Sequence, residues 1–484
     1  MAGRSWRSSS SEPLPSEGEV KITFHGAAQT VTGSRHLITL NSRKLLLDCG
    51  LYQGRRADTY SRNLNFPFDP AEIDAVVLSH AHLDHCGNLP NLVRQGFGGP
   101  IHATHSTAHL ADLTMRDAGH IQEADIEFLN KRRARQGLEP TKPLYTVADA
   151  ERASRHLVSH AYEQPFDPLP GMAARLVDAG HILGSAGILL DLQEGGKRVR
   201  LMFSGDIGRP GMPILRDPVL PADIDILLME CTYGDRPHPA PEQAYVDLRS
   251  VLVKTFERGG KVIIPSFAIG RTQLFVYTLH EMIERREIPR VPVFVDSPMA
   301  TSATEIFREH PEDFDAQTLE FIRRDPHGSA FGFDLLTFTR SVEESKAINE
   351  LSGPLVIISA SGMAETGRIL HHLRNNLENR RNTILITSWM APHTLGRRLV
   401  EGAREVRIFG DEYRVLAEVA SIDGFSAHAG QDFLLTYAQA VKGRVRRIFL
   451  VHGEADAAQA FMGKLAEQGI TNVSYPAMGD TVEI

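Results

Sequence analysis

Six consecutive residues, His80-Ala81-His82-Leu83-Asp84-His85, place three imidazoles and a carboxylate just beyond the apolar run 75–78. The spacing suits two metal ions rather than one. With a strand ending at Ser79, His80 and His82 point at one ion while Asp84 and His85 turn toward a second. Neutral imidazole and carboxylate are ligands that zinc accepts, and a site that keeps an open position activates water. The competing reading is a surface loop that happens to be rich in histidine. Three further residues favour the metal. Asp48 ends the run Leu45-Leu46-Leu47 and precedes Cys49-Gly50; alone it is a turn residue, but beside the histidines it becomes a carboxylate that holds a ligating imidazole. His181, flanked by Gly180 and Gly184, supplies a further ligand to the first ion. Asp206, in Phe203-Ser204-Gly205-Asp206, follows a strand in the same way and is placed to bridge two ions, as two-metal hydrolysis requires.

Such residues need a rim of strand ends, and the sequence provides one. Apolar runs at 20–24, 36–40, 44–47, 75–78, 188–192, 199–203 and 224–229 read as short strands, and 107–136 reads as a helix. Asp48, His80, Asp206 and Glu230 each stand at the end of such a run. From about residue 239 strands and helices alternate: strands at 261–265, 291–295, 354–359 and 383–387, helices at 271–285 and after 301. That alternation predicts a parallel α/β unit. A last strand, 447–451, runs into His452.

The 484 residues suffice for two or three domains, or one with a large insertion. A net charge of -8 excludes a generally basic nucleic-acid binder, although a local channel or bound cations can still attract a polyanion. No apolar run approaches membrane-spanning length. Residues 1–18, rich in Ser, Pro and Glu, lack the apolar core of a signal peptide and read as a disordered tail. The three cysteines, Cys49, Cys86 and Cys231, lack CxxC spacing and read as packing residues in a reducing compartment, which implies a cytoplasmic protein.

The ordered set Asp48, His80-x-His82-x-Asp84-His85, His181 and Asp206 resembles the metallo-β-lactamase superfamily. Three later signatures resemble its β-CASP nucleases: Glu230 in Met229-Glu230-Cys231-Thr232-Tyr233-Gly234, His428 in Asp423-Gly424-Phe425-Ser426-Ala427-His428, and His452 in Leu450-Val451-His452-Gly453-Glu454. The resemblance runs from residue 20 to the C-terminus. It implies an αβ/βα sandwich built from residues 19–236 and 416–484, with an inserted α/β β-CASP domain at 237–415. It implies two zinc ions per chain: His80, His82 and His181 on one, Asp84, His85 and His452 on the other, Asp206 between them. Glu230 would orient His428, which would protonate the leaving oxygen. Outside the resemblance His428 reads equally as a helix cap and His452 as a surface histidine.

The implied activity is a zinc-dependent ribonuclease, an endonuclease by preference, cutting single-stranded RNA; the nearest likeness is to bacterial relatives of the endonuclease that cleaves pre-mRNA 3′ ends. DNA-directed members tend to carry valine at the third signature, so His452 leans toward RNA. Loops 265–271 and 359–368 resemble those that grip substrate, making Arg271, Arg368, Ser359 and Ser361 candidate RNA contacts; the plain alternative for the arginines is surface charge. His371-His372 reads as a solvent-facing pair on a helix. The segment 388–393, with Trp389, departs from a loop that relatives often build with glycine and tyrosine. No KH module precedes the sandwich and no further domain follows it, which implies a minimal nuclease with weak sequence preference; a homodimer is expected from relatives. The rivals are a small-molecule hydrolase of the same superfamily, which has no need of Glu230, His428 or the insertion, and a non-catalytic scaffold subunit, which would lose ligands that this chain keeps.

Overall fold

The structure, a computed structural model, describes residues 20–484 apart from 55, 195 and 392; the tail 1–18 lies outside the described residues. Strands β1 (Lys21–Gly26), β2 (Arg35–Leu40), β3 (Arg43–Leu47), β4 (Ala75–Val77), β5 (Ile101–Thr104) and β6 (Leu157–His160) form most of a first sheet. A second contains β7 (Phe166–Leu169), β8 (Met172–Asp178), β9 (Ala186–Glu194), β10 (Lys197–Phe203) and β11 (Ile226–Glu230). Next come β12 (Lys261–Pro265), β13 (Val293–Val295), β14 (Leu336–Phe338), β15 (Leu355–Ser359) and β16 (Thr383–Ile386), the hairpin β17 (Glu405–Ile408) and β18 (Asp411–Arg414), then β19 (Glu418–Ser421). The chain closes with β20 (Arg447–Val451), β21 (Val473–Ser474) and β22 (Thr481–Glu483). The sheet orders are β22-β1-β2-β3-β4-β5-β6, β21-β20-β11-β10-β9-β8-β7 and β14-β13-β15-β12-β16-β19.

Alternation along single strands shows the layering. In β3, Leu45 and Leu47 join the core between the first two sheets, with Phe24, Leu190 and Phe203. Leu46 faces the other way, onto Leu89 and Leu92 of the helix Leu89–Arg94. β20 does the same: Phe449 and Val451 point between the sheets, Ile448 and Leu450 onto Phe461 and Leu465 of the helix Ala455–Glu467. Helix, sheet, sheet and helix thus form four layers, and strands buried on both faces read as unbroken apolar runs. Each such side chain contributes roughly 1.5–3 kcal/mol by leaving water.

The third sheet is parallel throughout. Its runs are also buried on both sides, Ile263, Ile357 and Ile384 toward one core and Val262, Val356 and Leu385 toward the other. β19 pairs in register with β16, Glu418 opposite Thr383, so this sheet extends past residue 415 to Ser421 before the chain returns to the sandwich. The long helix runs His105–Ala134, its first turn capped by the Thr104 hydroxyl, which accepts from the Thr107 amide.

A buried carboxylate organises this unit. Asp296, just beyond β13, accepts from the Thr339 hydroxyl at 2.5 Å, the Ser345 hydroxyl at 2.6 Å and Arg368 Nη1 at 2.7 Å, and lies 2.6 Å from His372 Nε2. His372 is therefore fully buried, correcting the solvent-facing reading; only His371 is exposed. Burial alone would raise the Asp296 pKa, but the bonds from His372, Ser345, Thr339 and Arg368 outweigh it and hold the carboxyl well below the usual range. The contribution to stability is present above the unfolded carboxylate pKa, near 3.9, and fades as pH falls below it. Asp296→Ala, by stranding Arg368 and His372, is expected to cost about 3–5 kcal/mol at pH 7, with the gap to wild type narrowing below pH ~4; urea unfolding at both pH values checks this.

Candidate metal centre

Parallel pairing brings five strand ends to one rim. β3 and β4 align Leu47 with Val77, β10 and β11 align Phe203 with Leu228, and β11 and β20 align Glu230 with Val451. The residues just past these ends are Asp48, His80, Asp206 and His452, with Glu230 itself the last of β11. His181 joins them from the β8–β9 connection, and the helix Leu83–Cys86 carries Asp84 and His85. Asp48 and His452 have left-handed backbones, φ 59° and 49°, a conformation costing on the order of 1–3 kcal/mol that the surrounding structure must enforce. Gly208 is needed where the Asp206 loop crosses the His181 loop: a Cβ there would run into the Gly180 carbonyl.

His82 Nδ1 lies 3.1 Å from both His80 Nε2 and His181 Nε2. Asp206 Oδ2 lies 3.5 Å from His80 Nε2 and 3.6 Å from His181 Nε2. A second group converges beside it: His85 Nε2 to His452 Nε2 is 3.2 Å, His452 Nε2 to Asp84 Oδ2 3.4 Å, and His85 Nε2 to Asp206 Oδ1 3.3 Å. Four ligands at zinc bond lengths around one tetrahedral ion stand about 3.3–3.4 Å apart. The first group brings four donors close to that spacing and the second three, Asp84, His85 and His452, with Asp206 Oδ1 beside His85, so the donor sets fit metal ions. Asp206 Oδ1 is buried and makes no hydrogen bond, as an oxygen meant for a cation would.

Electrostatics agree. Burial, reinforced by neighbouring histidines, drives His80 and His181 well below the ordinary imidazole pKa and His82 down to about 4, leaving their lone pairs free. At Asp206 burial works the opposite way, but His452, His85 and His80 outweigh it and keep the carboxylate ionised.

Asp48 belongs to neither ligand group. It lies 2.7 Å from His85 Nδ1 and accepts from the Ser79 amide at 2.8 Å, the Ser79 hydroxyl at 2.9 Å and the Ser34 hydroxyl at 3.1 Å, which fixes the ring that turns Nε2 toward Asp206. Similar supports were not singled out from sequence: Thr232 Oγ1 at 3.1 Å from His452 Nδ1, and Ser79 Oγ at 3.1 Å from His80 Nδ1. Each adjoins a motif residue, but hydroxyls so placed are too common to read.

Next to the metal groups, His428 Nδ1 lies 3.1 and 3.2 Å from the two oxygens of fully buried Glu230, which also accepts from the Ile207 amide at 2.6 Å. Burial lowers the His428 pKa, but Glu230 and Asp206 more than reverse this and raise it to about 9, so the ring carries a proton at neutral pH. His428 Nε2 stands 3.9 Å from Asp206 Oδ2. His82, His181, His428 and His452 all line a cleft of about 470 Å³ whose far wall comes from the third-sheet unit, through Phe267, Arg271 and Trp389.

Of the four residues read as RNA contacts, Arg271 lines the cleft, and all four are hydrogen-bonded within the protein. Arg368 spends its donors on Asp296 and the Arg340 carbonyl, and the buried Ser359 hydroxyl donates to the Asp296 carbonyl at 2.8 Å. Ser361 closes its own turn by donating to Thr366 O at 3.2 Å. Arg271 does line the cleft, but its Nη1 donates to Thr387 O at 2.6 Å.

Ribonuclease TTHA0252 of Thermus thermophilus is 36% identical over 96% of this chain and 100% of its own length. Residues 33–266 match the metallo-β-lactamase superfamily, 272–399 the β-CASP domain, and 412–476 the Zn-dependent metallo-hydrolase RNA specificity domain. The chain belongs to the β-CASP family of the metallo-β-lactamase superfamily. As a β-CASP protein it is a metal-dependent hydrolase, with the mixed α/β fold expected from its sequence. Transcription termination factor FttA of Methanosarcina mazei is 31% identical over 90% of this chain and 67% of that longer protein. Among solved structures, a protein of unknown function from Enterococcus faecalis V583 superposes with a TM-score of 0.56 at 14% identity, covering 96% of this chain and all of that one, and shares the fold.

Because Asp48 acts through His85, Asp48→Asn is expected to weaken metal binding roughly 10- to 100-fold while the protein stays folded; competition against a chromophoric zinc chelator measures it.

Proposed function

We propose that this β-CASP protein is a zinc-dependent ribonuclease that hydrolyses phosphodiester bonds of single-stranded RNA. The observation that carries the reading is Asp206, whose two oxygens serve two adjacent ligand groups beside a protonated histidine. His80, His82, His181 and Asp206 Oδ2 would hold one zinc ion, and Asp84, His85, His452 and Asp206 Oδ1 the other. Two such ions supply a nucleophile from water at neutral pH and neutralise charge on the phosphate.

The protein's own groups do the rest. Asp48 fixes His85, and Thr232 steadies His452. Glu230 holds His428 by Nδ1, leaving Nε2 to face Asp206 and the cleft. As water oxygen bonds to phosphorus and the ester P–O bond breaks, His428 gives its proton to the departing oxygen. Help of that kind contributes about 10²–10⁴ in rate. RNA as the substrate is supported by the match of 412–476 to an RNA specificity domain and by the relative named as a ribonuclease. The Glu230–His428 pair together with the β-CASP insertion favours this reading over a small-molecule hydrolase of the superfamily, which has no need of either.

End-labelled single-stranded RNA and matching DNA, incubated with zinc-loaded protein, test the proposal. Cleavage of RNA is expected, with internal products if the enzyme is an endonuclease. Asp84→Ala should abolish it together with part of the bound zinc. His428→Ala should lower the rate by about 10²–10⁴ with zinc content kept. Failure of zinc-loaded wild type to cut either polymer would overturn the assignment.

A further inference from the structure

The cleft is poor in cations. Among the described residues lining it, Arg271 is the one lysine or arginine, and its Nη1 is engaged by the Thr387 carbonyl. Attraction of phosphates to basic side chains, the usual source of nucleic-acid affinity, therefore has little to work with beyond the metal groups. The wall offers aromatic surface instead. Phe267 and Trp389 both line the cleft, 40% and 50% exposed, alongside the apolar Ile182, Ile269 and Met363.

Both aromatics sit on loops tied to the start of the same helix, Arg271–Glu284. The Thr272 hydroxyl donates to Phe267 O at 2.7 Å and the Thr272 amide to the same oxygen at 3.2 Å, while the Phe267 ring rests on Gly362, where a Cβ would come within 2.8 Å of it. Arg271 anchors the carbonyl of Thr387, two residues before Trp389. A ring seated like that of Phe267 loses little freedom on binding a flat partner. We propose that Phe267 and Trp389 form a stacking site for a nucleobase flanking the phosphate that is cut. The proposal rests on the RNA reading above and deepens it. Every base presents a π face, so this subsite grips RNA without reading its sequence.

Trp389 is itself a reporter, because the chain has two tryptophans and Trp6→Phe leaves it alone. Zinc-loaded Trp6→Phe protein is titrated with a phosphorothioate-linked oligoribonucleotide, which resists hydrolysis, and with an abasic oligomer of equal length and charge. Anisotropy of an end label follows binding of each. Base-bearing RNA is expected to quench Trp389 and the abasic oligomer not to, with the abasic oligomer binding roughly fivefold to 150-fold more weakly. Trp389→Ala should weaken binding of the base-bearing RNA by a similar factor and leave the abasic oligomer's affinity where it was, the non-additivity expected of two groups in contact. Equal quenching by both oligomers, or unchanged affinity in Trp389→Ala, would overturn the stacking site. Base-dependent quenching without cleavage of ordinary RNA would keep the stacking site and remove the hydrolytic reading; cleavage without that quenching would do the reverse.

Discussion

A carboxylate with almost no access to water, Asp206, sits among five imidazoles and is kept ionised chiefly by His452 and His85. A buried charge is tolerated only when it is compensated on every side. His80 and His181 meet one of its oxygens, His85 and His452 the other, and His428 stands just outside. This constraint explains much of the architecture around it. Parallel strands end at one rim, two residues adopt left-handed backbones, and Gly208 lets the Asp206 and His181 loops touch. The histidines divide by environment: burial and neighbouring imidazoles push His80 and His181 down despite Asp206, while His85, between Asp48 and Asp206, and His428, backed by Glu230, are raised.

The two halves of the cleft contribute different physics. The sandwich rim concentrates charge and polar ligands. The opposing wall is apolar and aromatic, stiffened by Thr272 and Arg271, and its one cation is turned to holding backbone. Deeper in the same unit, Asp296 gathers Arg368, His372, Thr339 and Ser345, and its carbonyl takes the Ser359 hydroxyl. A polar knot replaces part of an apolar core there, fixing the loops that reach the cleft.

The rim was the legible part of the sequence because metal chemistry restricts side-chain type and strand ends restrict position. His80, His82, Asp84, His85, His181, Asp206 and His452, named from spacing and family signatures, lie together in the structure. Runs such as 261–265 and 447–451 coincide with β12 and β20, being apolar after their first residue, Lys261 and Arg447. β6 is not legible, being half exposed and reading Leu-Val-Ser-His, without a run or a clean alternation. The bonds of Arg368 and Ser359 to Asp296 are not legible, because that partner lies some sixty residues or more away and no local pattern announces such a knot. His372 is a different case. Ile369, His372, Leu373 and Asn376 are all buried at helical spacing, so its inward direction was available from periodicity.

The order in which the chain supplies these residues has a consequence of its own. A chain made from its N-terminus completes the His80, His82, His181 and Asp206 group before the inserted unit exists. The second group waits for His452, and Glu230 waits for its partner His428, both carried by segments that follow the insertion. The full set of converging side chains is therefore complete only after the whole insertion has been made.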